Sequence, residues 1–264
     1  KHVYDLMKGL DIDRKKKIKG ISSGRADILP AAFAAMSAFK RFMSLDNIVI
    51  SGSGLRTGLL FNYALPSTID KPVSDVLTYS LNSLIDFYGC DGPHTEHVVN
   101  LSIQLFKQLR VLHKSPRQYL KILKVAAFMY ETGKTVGFYN FEKHNGYIIL
   151  NSNIYGISHR DLVLASFVSA NTSMEDINAF DWFKYKDLVC DEDVDLVRKM
   201  GIMLRIAYAL DRGLSSVVKG INCDILGDSV IMKTEVNGDA SLEINAAMKS
   251  AGDFRKIFKK NLEI

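Results

Sequence analysis

Cross-linking chemistry is scarce in this chain of 264 residues. Its three cysteines, Cys90, Cys190 and Cys223, stand far apart with no CxxC pair, which excludes a disulfide framework and suits a reducing compartment. Cytoplasmic localisation is therefore expected. No apolar run approaches the roughly 20 residues needed to cross a bilayer, and Lys1 to Lys8 has no signal-peptide core, so no membrane partner is expected. An initiator Met is absent too, and the chain is expected to begin inside a longer polypeptide or to have lost its first residues. A strong charge excess is also missing. Net charge is +5, a mild basic bias that suits an anionic partner without demanding one. The run Lys15-Lys16-Lys17 with Lys19 has no interleaved aromatics, which argues against a specific nucleic-acid platform.

What is present is an ordinary globular composition, 47% hydrophobic and 24% charged, enough for a sizeable core and more than one domain. Near the start, Ile28, Ala32, Met36, Phe39 and Met43 recur at helical spacing, predicting a helix from about Arg25 to Leu45 with Pro30 tolerated in its first turn. Ile48-Val49-Ile50 reads as a buried strand. A turn at Gly52-Ser53-Gly54 and a helix from Leu55 to Leu65 follow. One strand cannot make a sheet, so its partners are expected upstream of Lys1.

From Pro72 to about Val218 the pattern is almost wholly helical. Val98, Leu101, Leu105, Leu109 and Leu112 mark one helix beginning after Pro93, and Leu120, Leu123 and Ala127 mark the next, stopped at Gly133. A third runs from Asp191 to Gly213, where Leu196, Met200, Met203, Ala207 and Leu210 keep a regular 4,3,4,3 spacing. Asp191, Glu192 and Asp193 sit at its positive end and Arg212 near its negative one. Trp182, with Phe180 and Phe183, reads as a hydrophobic anchor between helices. After residue 218 the period becomes two. Alternation around Val230, Met232 and Val236, with turns at Gly227-Asp228 and Asn237-Gly238, predicts a three-strand meander over Ile221 to Asn245, its last strand carrying Leu242 and Ile244. A short helix with Phe254 and Phe258 closes it.

Several ordered segments carry a family resemblance. They are Gly24-Arg25-Ala26-Asp27-Ile28, Ser51-Gly52-Ser53-Gly54-Leu55-Arg56-Thr57-Gly58-Leu59-Leu60, and His94 followed by Val98, Leu101, Leu105, Phe106 and Leu109. Further on come Lys143-His144-Asn145-Gly146-Tyr147-Ile148-Ile149-Leu150-Asn151-Ser152 and Leu204-Arg205-Ile206-Ala207-Tyr208-Ala209-Leu210-Asp211. In this order they resemble the C-terminal half of the exopolyphosphatase and guanosine pentaphosphate phosphohydrolase (Ppx/GppA) family. The resemblance implies a chain that is mostly α with α+β ends: residues 1–68 as the tail of an actin-like α/β domain, 69–218 as a degenerate HD-like helical domain, and 219–264 as a small α+β domain. It also implies metal-assisted attack of water on a terminal phosphoanhydride of inorganic polyphosphate or guanosine pentaphosphate. The divalent cation, Mg, and the catalytic carboxylate are expected in an N-terminal half. A homodimer is expected.

Within this chain no catalytic residue is expected. Met129-Tyr130-Glu131-Thr132-Gly133 stands where an HD-type phosphohydrolase has adjacent His and Asp ligands. His94 matches the first ligand position, Tyr130 and Glu131 occupy the His-Asp position, and Tyr208 stands where a distal Asp is usual. One imidazole and one carboxylate leave a metal's coordination shell unfilled, so no metal is expected here. His97, one turn beyond His94, reads either as a second ligand or as an exposed helix-start histidine. Glu131 beside tyrosines is expected to gain proton affinity, as a base would, but it has nothing positioned to activate. Lys143, His144, Arg205, Arg212 and Arg56 are the candidate substrate contacts, with Lys134 as a possible addition. Lys143-His144 and Asn151-Ser152 fit a phosphate-contacting edge or an ordinary helix N-terminus equally. Gly52-Ser53-Gly54 with Arg56 can aim backbone N-H groups at an anion, or serve only tight packing. Asp27 is expected to cap or pair near its helix. Two other functions remain open, a non-catalytic polyanion- or protein-binding module and an active HD-type metal phosphohydrolase.

Overall fold

A computed structural model describes residues 2–18, 20–66, 71, 73–171 and 182–264. The chain divides into two compact units, Lys1–Ile69 and Asp70–Ile264.

The first unit holds α1 (His2–Met7), α2 (Ile12–Lys16), α3 (Leu29–Phe42) and α4 (Leu55–Ala64). Asp11 caps α2 by accepting from the Arg14 N-H at 2.8 Å, which meets one of the amide donors a helix start leaves open. Pro30 lies in the first turn of α3, where its missing N-H costs nothing. The strand expected at Ile48-Val49-Ile50 does not form. Those residues have no regular structure, and Val49 and Ile50 are 93% and 79% exposed. A strand's backbone groups need a neighbour to pair with, and the described residues of this unit supply none.

The second unit is built of helices around α11 (Glu192–Ala209). Before it come α5 (Val76–Tyr88), α6 (Gly92–Gln108), α7 (Arg110–His113), α8 (Leu120–Phe128), α9 (Phe141–Asn151) and α10 (His159–Ala170). Asp75, Asp91 and Ser158 each accept a first-turn N-H, starting α5, α6 and α10. α6, α8 and α10 pack around α11, and the core they enclose includes Leu101, Leu105, Ile122, Leu164, Met200 and Met203. Burying such a side chain contributes about 2 kcal/mol each. Trp182 joins this core with its ring centroid 5.0 Å from that of Phe167 at a 59° tilt, whereas Phe183 is exposed. Phe180, like Lys19 and Pro72, lies outside the described residues.

At the C-terminal end, β1 (Val218–Leu226) and β2 (Ser229–Val236) form an antiparallel hairpin around Gly227-Asp228. The expected third strand through Leu242 and Ile244 is instead helix α12 (Ser241–Met248), followed by α13 (Ala251–Phe258). Two apolar residues spaced by two fit either period. Glu243 and Ala247, four apart, are the ones buried, and a helix is what puts both on one side. The third strand is β3 (Asn261–Glu263), parallel to β2. This is a mostly helical chain with a small three-stranded sheet at its C-terminal end.

Candidate functional site

Three elements of the second unit converge on His94. It stands in the first turn of α6, where Asp91 fixes its backbone. From the end of α11, Asp211 accepts a hydrogen bond from Nδ1 at 2.7 Å, and both side chains are buried. From the turn after α8, Glu131 brings Oε1 to 3.5 Å from Nε2, a close charge contact without hydrogen-bond geometry. Glu131 Oε1 also accepts from the Tyr208 hydroxyl at 2.9 Å and from the Lys134 ammonium. Lys134 in turn lies 5.4 Å from the Phe141 ring and 5.5 Å from the Tyr208 ring, a cation over two aromatic faces.

The charges balance within this cluster. Burial disfavours the imidazolium, but Asp211 and Glu131 outweigh it and raise the His94 pKa to about 9. Burial likewise pushes Glu131 up, yet its contacts with His94 and Lys134 prevail and hold it at about 2. This reverses the expected gain in proton affinity, because the neighbours of Glu131 include two cations as well as tyrosines. Two cations thus face two carboxylates, the arrangement a buried ionic group requires. Burial first, then the Glu131 charge, drives the Tyr208 phenol up, and Tyr130 moves the same way for reasons of burial.

The turn carrying Glu131 is braced from α9. Buried Asn145 accepts from the Gly133 N-H at 2.7 Å and donates to the Tyr130 carbonyl. Gly133 has no room for a side chain, since a Cβ there would stand 2.1 Å from the Phe141 carbonyl oxygen. The Asp211 side is equally fixed. Its other carboxylate oxygen accepts from the Ser216 N-H at 2.7 Å, and Gly213 N-H donates to buried Glu243 at 3.0 Å. Asp211 is the residue the sequence reading missed. Tyr208 lies in the last turn of α11 and Asp211 two residues beyond its end, where the Asp211 N-H donates to the Tyr208 carbonyl at 3.3 Å, and the carboxylate reaches His94 while the phenol reaches Glu131.

This donor set does not fit a divalent cation. Nδ1 of His94 is committed to Asp211, and the Glu131 oxygen nearest the imidazole already holds an ammonium and a phenol. A metal would have to displace both Lys134 and the proton on the His94 imidazole, since metal binding needs neutral imidazole. Among the described residues, no three His, Cys, Asp or Glu side chains are grouped to hold an ion. His97 is half-buried, and its Nε2 is sealed from solvent without a hydrogen bond.

The basic candidates are dispersed. Arg205 is engaged with Asp253, both terminal nitrogens donating to Oδ2 at 3.0 Å. Arg212 is exposed just beyond α11. Lys143 is exposed and His144 half-buried in the first turn of α9, whose N-cap residue, Asn140, makes no side-chain capping bond. Asn151, two turns on and about 12 Å away along the helix, donates back to the Tyr147 carbonyl. Lys143-His144 and Asn151-Ser152 therefore mark opposite ends of α9.

The first unit has a polar hollow of about 520 Å³ lined by Arg25, Ser51 to Leu55, Arg56 and Thr57. Two separated sequence segments meet there. The start of α4 opens into the hollow with Gly54 as its uncapped N-cap, while the Ser51 hydroxyl and Ser53 hydrogen-bond each other across the turn. Two guanidinium groups beside a helix N-terminus suit an anion. Asp27 instead accepts from the Ile28 N-H at 2.9 Å, just ahead of α3.

Comparison with known proteins identifies the family of this chain. The family model described as Ppx/GppA phosphatase, domain III, matches residues 76–245, well over half of the chain. A guanosine-5'-triphosphate,3'-diphosphate pyrophosphatase of Aeromonas salmonicida is 26% identical over 156 residues, covering 59% of this chain and 31% of that protein. One of the same name from Aliivibrio fischeri is 26% identical over 147 residues, covering 55% of this chain and 27% of that protein. The matches thus span about a third or less of those relatives' own length. The match over residues 76–245, a span that contains His94, Glu131, Lys134 and Asp211, makes this chain a member of the Ppx/GppA phosphatase family.

Proposed function

We propose that this chain is the C-terminal half of an exopolyphosphatase-like phosphohydrolase that releases phosphate from inorganic polyphosphate or guanosine pentaphosphate, and that it contributes substrate and subunit contacts, not the hydrolytic centre. The observation that carries the second part is the self-neutralised cluster of His94, Glu131, Lys134 and Asp211. A general base must be free to take a proton near working pH, and Glu131 at about 2 is not. Residues 69–218 are then an HD-like domain whose ion-binding chemistry has given way to a structural ion cluster. Residues 1–68 are the end of an actin-like domain, and Mg with its water-activating carboxylate belongs to a part of the enzyme outside this sequence.

The substrate contacts in this reading are Arg25 and Arg56 in the hollow before α4, with Lys143, His144 and Arg212 as further positions. The names of the relatives support a nucleotide polyphosphate as one substrate, and a homodimer is the proposed assembly. The test is phosphate release from polyphosphate and guanosine pentaphosphate by this chain and by a longer polypeptide that includes the N-terminal half. Release by the longer form alone is expected, and Arg56→Ala in it should raise KM about tenfold, as loss of a charged hydrogen bond to phosphate does. Stoichiometric transition metal together with turnover by residues 1–264 alone would instead establish an active HD-type enzyme.

A further inference from the structure

Asn-Gly occurs twice in this chain, at Asn145-Gly146 and Asn237-Gly238, and the fold treats the two pairs in opposite ways. In this dipeptide the glycine nitrogen can reach the asparagine side-chain amide, because glycine has no side chain to hinder the approach and restricts its own backbone least. Asn145 is fully buried in α9. Its side-chain oxygen accepts from the Gly133 N-H and its nitrogen donates to the Tyr130 carbonyl. Gly146 is closely packed, with the Ala170 Cβ 3.0 Å from where its own Cβ would stand. Both hydrogen bonds and the helical backbone would have to break before these two groups could meet. Asn237 and Gly238, by contrast, are exposed in the bend that leads from β2 into α12. The Asn237 N-H donates to the Val217 carbonyl at 2.9 Å, which fixes the backbone up to this residue. Gly238 then stands at φ +117° with nothing within 4 Å of a Cβ. Among the described residues no hydrogen bond engages the Asn237 side-chain amide or the Gly238 N-H. The chain is anchored again one residue on, where Asp239 accepts from the Ser241 N-H at 2.9 Å.

We propose that Asn237-Gly238 is a site of spontaneous deamidation and isoaspartate formation, and that the fold protects Asn145-Gly146 from the same reaction. The Gly238 nitrogen gives up its proton to solvent base and attacks Cγ of Asn237. As the new N–Cγ bond forms, the Cγ–Nδ2 bond breaks, and ammonia leaves with a proton taken from water. Water then opens the five-membered imide. Opening at Cγ leaves aspartate, whereas opening at the main-chain carbonyl leaves isoaspartate, with one extra methylene in the backbone. No oxidant or cofactor takes part. Either product sets a new carboxylate between Glu235 and Asp239 and removes one unit from the net charge of +5. The extra methylene falls between β2 and α12, the helix whose Glu243 holds the Gly213 N-H beside Asp211.

Ageing the whole chain at mildly alkaline pH, then digesting it for mass spectrometry, tests this on the unaltered protein. Methyl transfer from S-adenosylmethionine by an isoaspartyl methyltransferase distinguishes isoaspartate from aspartate in the same peptides. The peptide holding residues 237–238 should convert at least about a hundredfold faster than the one holding 145–146, the scale on which exposed bends open more often than buried, hydrogen-bonded segments. In concentrated urea the two rates should come within about threefold of each other, since the shared dipeptide then outweighs the lost fold. Asn237→Gln should remove methyl acceptance from the aged folded chain, because its longer side chain must close a slower six-membered ring. Equal rates in the folded protein, earlier conversion at Asn145, or no conversion at Asn237 would overturn the proposal. So would a hundredfold difference that persists in urea, which would assign the selectivity to neighbouring residues and not to burial.

Discussion

Helices α3 and α11 carry nearly the same apolar rhythm and meet different fates. In α11 and just beyond it, Leu196, Met200, Met203, Ala207 and Leu210 are all buried, none more than 8% exposed. Along α3 the equivalent stripe runs through Ile28, Met36, Phe39 and Met43, which are 60%, 40%, 57% and 50% exposed, and α3 buries none of its residues. Met7 and Ala26 are the only buried apolar residues described in the first unit, while the second encloses a continuous core. The difference teaches that periodicity declares which face of a helix is apolar but not whether anything covers it. Stability follows the cover, since only area removed from water contributes.

This contrast can be broken or sharpened by substitution. Trp182, the one tryptophan and a core residue of the second unit, reports unfolding there by fluorescence. The largest loss is expected for Gly133→Ala, about 4 kcal/mol in urea unfolding, because the new Cβ would meet backbone at 2.1 Å. Glu131→Gln should cost about 3 kcal/mol by leaving His94 and Lys134 without their shared counter-charge, with part of the loss recovered because Lys134 is 30% exposed. Leu164→Ala should cost about 2–3 kcal/mol, whereas Leu59→Ala on α4, at a residue 67% exposed, should cost less than about 0.5 kcal/mol. A large effect of Leu59→Ala, followed by circular dichroism because Trp182 lies in the other unit, would show that the first unit buries more than these contacts imply.

Acidity provides another probe of the second unit alone. Folding raises the His94 pKa from 6.5 to about 9, so its contribution is complete below pH 6.5 and is lost as pH climbs through 9. Folding lowers Glu131 from 4.5 to about 2, so its contribution is complete above pH 4.5 and is lost as pH falls through 2. Thermal unfolding followed through Trp182 should therefore plateau between about pH 4.5 and 6.5, and His94→Gln should flatten the alkaline limb. A small effect of the opposite sign is expected at Gly58, inside α4 with nothing within 4 Å of a Cβ. There Gly58→Ala should stabilise the helix by about 0.5–1 kcal/mol, visible as increased helicity by circular dichroism.

Helices α6, α8 and α11 were legible because each carries its own apolar stripe, but α8 ends at Phe128, short of the stop expected at Gly133, which lies in a separate 3-10 turn over Thr132–Thr135. The hairpin at Gly227-Asp228 was legible for the same local reason. Failures fell where the outcome depends on a neighbour. Ile48-Val49-Ile50 has strand composition but no strand beside it, and Leu242 with Ile244 satisfies two periods until Glu243 is claimed by the Gly213 N-H. At the candidate site, His94, Tyr130, Glu131 and Tyr208 could be picked out, but Asp211 and Asn145 could not be tied to them. Asp211 stands 117 residues from its imidazole partner, a separation no spacing rule covers.

By itself the sequence determined that Pro72 to about Val218 is almost wholly helical, which faces of its clearest helices are apolar, and that an adjacent His-Asp pair is missing; these are properties of neighbours within a turn or two. Only the tertiary structure decided that Asp211 and Lys134 complete a neutral cluster around His94 and Glu131, that Arg205 is engaged with Asp253, and that the stripe of α11 is covered while that of α3 lies open. The reason is physical. Hydrogen bonding along one helix is local, whereas burial and charge pairing depend on which distant segments share the same few ångströms of space.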